Sequence, residues 1–184
     1  MKTTKTIALL LAVLMLICTI GCNTKSIELT LNDGVLENDY FSIDVSGYEE
    51  IAYTKEDLTN EQLVGSAYAM SYTNANGGTS VKQYVQIFGY KNAKSTTIPN
   101  KDYYEMQFTY EDVEVLSFKY INDDPNLGSM AELLYISDDG QRYYTFLILF
   151  KSGKRVFKFD IGDKDGTEER FEGYTTAIDS FKVK

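Results

Sequence analysis

The amino-acid sequence predicts an α+β domain: an antiparallel sheet of about six to seven strands, with a C-terminal helix and room for one or two further helices packed on it. Three observations lead there. Apolar residues recur at period two through most of the chain from Tyr40 onward, most regularly in Val113–Ile121, Ala131–Ser137, Arg142–Phe150 and Lys154–Ile161. Tight-turn pairs, Asp139-Gly140 and Ser152-Gly153, separate the last three of these segments and force antiparallel neighbours. The period becomes helical only near the end, where Phe171, Tyr174, Ile178 and Phe181 fall on one face.

In chain order, the first element is an address rather than a fold element. Lys2 and Lys5 precede an uncharged apolar run, Ile7 to Ile20, of about 14 residues where a bilayer span needs roughly 20. The run ends in Thr19-Ile20-Gly21-Cys22. This resembles the lipobox of bacterial lipoprotein signals, in which a small residue precedes an obligatory cysteine; Thr19 stands where leucine is usual. The resemblance implies a diacylglyceryl group on Cys22, cleavage between Gly21 and Cys22, and a protein lipid-anchored on the extracytoplasmic face of the cell membrane. Cys18 is a poor acceptor because the β-branched Ile17 precedes it. Once cleaved, the chain keeps Cys22 alone, so no intramolecular disulfide forms. The expected organisation is a signal peptide over 1–21, a lipidated N-terminus and tether over 22–38, and one α+β domain over 39–184. As a tether, about 15 residues reach roughly 50 Å; a short strand at Ile27–Leu31 is the one element expected within it.

Within the domain, Tyr40–Val45 reads as a strand with Phe41, Ile43 and Val45 on one face, and Glu56–Leu63 as a short turn of helix. Ala67–Thr73 and Val81–Tyr90, joined through Asn76-Gly77-Gly78, read as a hairpin. Lys101–Tyr110 fits a helix through Tyr104 and Phe108 at i, i+4, and fits a strand through its Tyr, Phe and Thr content. In the meander that follows, Tyr143–Phe150 is apolar on both faces, as a central strand covered on both sides would be. Lys154–Ile161 sets Phe157, Phe159 and Ile161 inward against Lys154, Lys158 and Asp160. The closing helix is expected over Glu168–Phe181, entered through a capping box of Asp165 and Glu168, with Gly173 costing it about 1 kcal/mol relative to alanine.

Several fragments, Tyr40-Phe41-Ser42-Ile43, Phe88-Gly89-Tyr90, the Arg142–Ile161 hairpin and Ile178-Asp179-Ser180-Phe181-Lys182, together resemble the PsbP-like family of extracytoplasmic domains. The resemblance implies an antiparallel sheet flanked by helices, in proteins that dock onto other complexes or bind ligands rather than catalyse.

Composition narrows the function. Lys plus Arg number 18 against 27 Asp plus Glu, a net charge of −9, so nucleic acid is not an expected partner. With no histidine, no Ser–His–Asp or Cys–His arrangement exists, and neither do the His or Cys clusters that zinc needs; no cofactor is expected. Asp163, Asp165, Gly166 and Glu172 match part of an EF-hand loop, but Ile161 occupies the first ligand position. The simpler reading is a strand-to-helix turn whose carboxylates meet the helix N-terminus. Among paired carboxylates, Asp112 and Glu114 share a strand face, as solvated residues do, with Val113 and Val115 opposite.

Fifteen Tyr and ten Phe are more aromatic side chains than a small core requires. Tyr68, Tyr72, Tyr84 and Tyr90 are the candidate binding surface; the alternative is that tyrosines fill a half-buried sheet beneath a helix, hydroxyls at the rim. The reading that results is a non-catalytic binding or docking module anchored to the membrane through Cys22, with an envelope protein as partner. The alternatives are a small extracytoplasmic carboxylate-dependent hydrolase and a lipoprotein that binds a small ligand or cation.

Overall fold

The computed structural model describes residues 25–51, 62–64, 68–75, 78–91, 96–107, 113–166 and 168–184. In chain order these form β1 (Thr30–Asn32), β2 (Val35–Glu37), β3 (Phe41–Asp44), β4 (Glu49–Ile51), β5 (Gln62–Val64), β6 (Tyr68–Ala75), β7 (Gly78–Lys91), α1 (Lys101–Gln107), β8 (Val113–Tyr120), a 3-10 turn (Ile121–Asp123), β9 (Gly128–Ile136), β10 (Arg142–Ser152), β11 (Arg155–Gly166), α2 (Glu172–Ser180) and β12 (Lys182–Val183).

All pairings are antiparallel, and the strands divide between two sheets rather than joining in one of six or seven. The larger has eight strands in the order β4-β6-β7-β11-β10-β9-β8, with β5 also on β7; the smaller has the order β1-β2-β3-β12. The expected meander is β8 to β11, and β7 joins it through β11, pairing Lys91 with Arg155 through Gln83 with Asp163. Gly140 and Gly153, at φ +80° and +60°, make the two tight turns with a backbone that other residues rarely adopt.

The alternation predicted for β10 and β11 places the core. Phe146, Ile148, Phe150, Phe157, Phe159 and Ile161 are all buried on the face that meets the small sheet and α2. Phe41 of β3 sets its ring edge-on to Phe150, Phe157 and Phe159, with centroids 4.7 to 6.3 Å away, a favoured aromatic geometry. On the opposite face α1 seats Tyr104 against Ala131 and Leu133, with Val113, Val115, Phe118 and Leu147 around it. The central strand β10 is thereby covered on both sides.

The segment 101–110, open to two readings, is helical over Lys101–Gln107. Asn100 Oδ1 accepts the N–H of Tyr103 at 2.9 Å, an N-cap, and Lys101 pairs with Glu105 one turn on at 2.9 Å.

Three expectations are corrected. First, much of 22–38 is not tether: β1 and β2 form a hairpin, β2 pairs with β3, and Leu36 and Asn38 are buried. Asn38 Oδ1 accepts the N–H groups of Tyr40 and Phe41, fixing the turn into β3. Second, Leu63 lies in strand β5, paired to β7, rather than in a turn of helix; residues 56–61 of that expectation lie outside the described residues. Third, α2 starts at Glu172, four residues later than predicted, because β11 continues to Gly166. Its N-cap residue Phe171 makes no side-chain cap, so the Asp165–Glu168 box does not form the entry. The apolar face is as predicted, with Tyr174 and Ala177 fully buried and Phe171, Ile178 and Phe181 packed against the core. Gly173 has a packing reason: a Cβ there would lie 2.5 Å from the Phe171 Cε1 and 3.3 Å from the Gly47 Cα, where the helix meets the loop after β3.

Candidate functional site

The four tyrosines of the candidate surface start from β6 and β7. Tyr84 stands opposite Gly162 of β11, and its ring lies over that glycine: a Cβ there would come 2.2 Å from the Tyr84 Cε1. Its hydroxyl donates to Asp160 Oδ1 at 3.1 Å, and Lys164 Nζ sits 5.2 Å from the ring centroid. Burial, then the Asp160 carboxylate, pushes the phenol well above its ordinary value. Tyr84 is thus engaged within its own sheet. Tyr68 pairs with Gln86, Tyr72 with Val81 and Tyr90 with Val156 in backbone register; their side chains lie outside the described residues.

Asp163 is buried near the end of β11. Its Oδ2 accepts the N–H of Phe171 at 2.6 Å and its Oδ1 accepts Gln83 Nε2 at 3.3 Å. The carboxylate therefore serves a backbone donor at the helix entry, the task the sequence assigned to a capping box. Glu172 is exposed in the first turn of α2, and the Asp165 side chain lies outside the described residues. Among the described residues no three Cys, Asp or Glu side chains gather as ligands of one metal ion. Cys22 also lies outside the described residues. No helix among them is long and apolar enough to cross a membrane.

Much of the aromatic excess fills the interior: Tyr40, Tyr48, Tyr104, Tyr144 and Tyr174 are all buried. Tyr48 and Tyr174 have phenols raised by burial first, then by Asp163 and Glu132 respectively. A polar strap holds the chain ahead of α2 to the sheet. Arg170 Nε pairs with Glu132 Oε1 at 2.8 Å and covers the Tyr144 ring at 4.9 Å. Tyr174 donates to the same Glu132 oxygen at 3.3 Å, and Tyr144 donates to the Glu168 carbonyl at 3.2 Å. Glu132 and Asp163 are thus each held by donors of their own fold.

What reaches solvent lies elsewhere. Tyr135 of β9 and Tyr143 of β10 are cross-strand partners whose rings stack at 5.7 Å and 20°. Tyr135 and its neighbour Ile136 are each 38% exposed, and Tyr143 donates its hydroxyl to Gln141 Oε1 at 2.8 Å. The sequence held a signal for this pair: the two tyrosines are equidistant from Asp139, in the turn that folds the strands together.

Set against known proteins, the chain matches no family model, and no curated protein matches it.

Proposed function

We propose that this chain is a bacterial envelope lipoprotein, held at the extracytoplasmic face of the membrane through lipid on Cys22, whose domain docks onto a partner protein without catalysing a reaction. The observation that carries the docking reading is the stacked Tyr135–Tyr143 pair at one end of the large sheet, Tyr135 exposed and Tyr143 half-buried. Tyrosines offer broad contact area with few torsions to freeze, and a cross-strand stack already fixes the two rings relative to one another. The anchor is supported by the apolar run, its length and the Gly21-Cys22 junction. The PsbP-like resemblance points the same way, toward docking rather than catalysis.

This reading places the docking surface at the β9–β10 end; of Tyr68, Tyr72, Tyr84 and Tyr90, only Tyr84 has a described side chain, and it is engaged with Asp160. A photo-crosslinking residue at Tyr135, compared in cells with the same residue at exposed Asp179 on α2, tests it. One dominant protein adduct from position 135 and none from 179 is expected; equal labelling from both would remove the aromatic pair as the docking surface. Anchoring is tested by Cys22→Ala, which is expected to move the protein out of the membrane fraction.

A further inference from the structure

The described residues begin, in sequence, close to Cys22. Lys25 donates from Nζ to the Lys184 carbonyl at 3.4 Å and lies over the Tyr40 ring at 5.2 Å. Ser26 N–H donates to Asp39 Oδ2 at 2.5 Å, Asn38 Nδ2 donates to the Ile27 carbonyl at 3.4 Å, and Ile27 and Leu29 pack against the core. Two residues, Asn23 and Thr24, separate Lys25 from Cys22, and the three Cα–Cα steps between them reach at most about 11 Å. A lipid on Cys22 therefore holds Lys25 within about one Debye length of the headgroups, roughly 8–10 Å at physiological salt.

Lys25 stands at one particular end of the large sheet. The Tyr40 ring that it covers is also covered by Arg155, whose Cζ lies 5.3 Å from the centroid and whose Nη1 is buried without a hydrogen-bond partner. Arg155 opens β11 at the β10–β11 turn, where Lys151, Lys154 and Arg155 fall within five residues that include no acid. The acids near this end are largely engaged. Glu37 pairs with Lys184 at 2.5 Å, Asp39 holds Ser26, and Asp124 accepts the Asn126 N–H at 2.8 Å; Glu28 and Asp123 are the exposed acids set against the cations here. The other end of the sheet is acidic, with Asp138, Asp139, Glu168, Glu169 and Glu172 exposed; its cations are Arg142, paired with Glu168, Arg170, paired with Glu132, and the exposed Lys164. Along β10 the two ends are about 33 Å apart.

Resting on the anchor at Cys22 proposed above, we infer that the domain stands on anionic lipid with the Lys25–Lys154–Arg155 end down. The acidic end, with the Tyr135–Tyr143 pair, is held about 30 Å above the headgroups. Anionic headgroups attract the lower end and repel the upper one, so charge and the short link select the same orientation in a chain whose net charge is −9.

The test uses the full-length lipidated protein in vesicles of phosphatidylglycerol and phosphatidylcholine. Because Cys22 is acylated, a cysteine introduced by Ser152→Cys or by Asp138→Cys is the one free thiol and takes a fluorophore. Quenching by headgroup-labelled lipid is expected to be several-fold stronger for the Ser152→Cys chain, and the ratio to fall in pure phosphatidylcholine. Equal or reversed quenching overturns the orientation, and a ratio indifferent to lipid charge overturns the electrostatic part of it. Protein that does not float with vesicles overturns the anchor itself, a failure distinct from both.

Discussion

Replacing Gly162 with alanine tests how Tyr84 is used. The added Cβ would lie 2.2, 2.4 and 2.8 Å from Cε1, Cζ and the hydroxyl oxygen of Tyr84, all far inside van der Waals contact, so the ring has to swing off the strand. Swinging breaks the bond from the Tyr84 hydroxyl to Asp160, 3.1 Å long, and hydrogen bonds to charged groups contribute about 1.5–3 kcal/mol. Against this, alanine restricts the unfolded chain more than glycine and returns about 0.4–1 kcal/mol where the backbone tolerates it. The net expectation is a loss of roughly 1–2 kcal/mol, read as a lower urea midpoint at unchanged slope. In a Tyr84→Ala background the three atoms nearest that Cβ are gone, so the same substitution is expected to be neutral or to stabilise by up to about 1 kcal/mol. That change of sign is the decisive result of the double-mutant cycle. Equal effects in both backgrounds would refute the placement of the ring and return Tyr84 to the candidate binding surface.

Three further outcomes follow from buried polar groups. The Tyr48 hydroxyl is buried without a hydrogen-bond partner, so Tyr48→Phe is expected to be neutral or to raise the urea midpoint, by up to about 1 kcal/mol; a clear loss would reveal a bond that the hydroxyl makes. Asp163→Ala strands the N–H of Phe171 and is expected to destabilise by about 1–3 kcal/mol, with Asp163→Asn losing less because it keeps an acceptor. Burial holds the phenols of Tyr48, Tyr84 and Tyr174 above their ordinary value of 10.0, which favours the protonated form in the folded chain. The stability they contribute is therefore complete below about pH 10 and lost as the pH rises toward their folded values. Urea midpoints that stay level from pH ~9 to ~11, or full phenolate absorbance before unfolding, would contradict this.

How far the sequence carried the fold depends on element length. β8 to β11 run 8 to 12 residues each, long enough for period two to repeat and for turns to mark their ends, and the meander was legible. β1 and β2 have three residues each, too few to show a period, so a paired hairpin read as tether. Its real signal is polar and local: Asn38, buried to serve the N–H groups of Tyr40 and Phe41. The start of α2 was misplaced because a capping box is a local pattern, whereas the acceptor the helix entry uses, Asp163, comes from a strand eight residues earlier. The candidate surface was harder still. Sequence spacing groups tyrosines by strand face, but whether a ring is free depends on what lies opposite, and opposite Tyr84 is a glycine that admits the ring. The Tyr135–Tyr143 pair needed the hairpin register of β9 and β10, which the turn position supplies once both strands are recognised.

The central claim is that the exposed aromatic end of an anchored domain docks onto a protein of the envelope. Its most direct measurement is recovery, by mass spectrometry, of proteins bound to the full-length chain from the producing cell's solubilised envelope, compared with a Tyr135→Ser, Tyr143→Ser double variant of matched stability. The account predicts one protein recovered near stoichiometry with the parent chain and reduced at least tenfold with the variant. Equal recovery by both chains, or no stoichiometric partner with either, would contradict it.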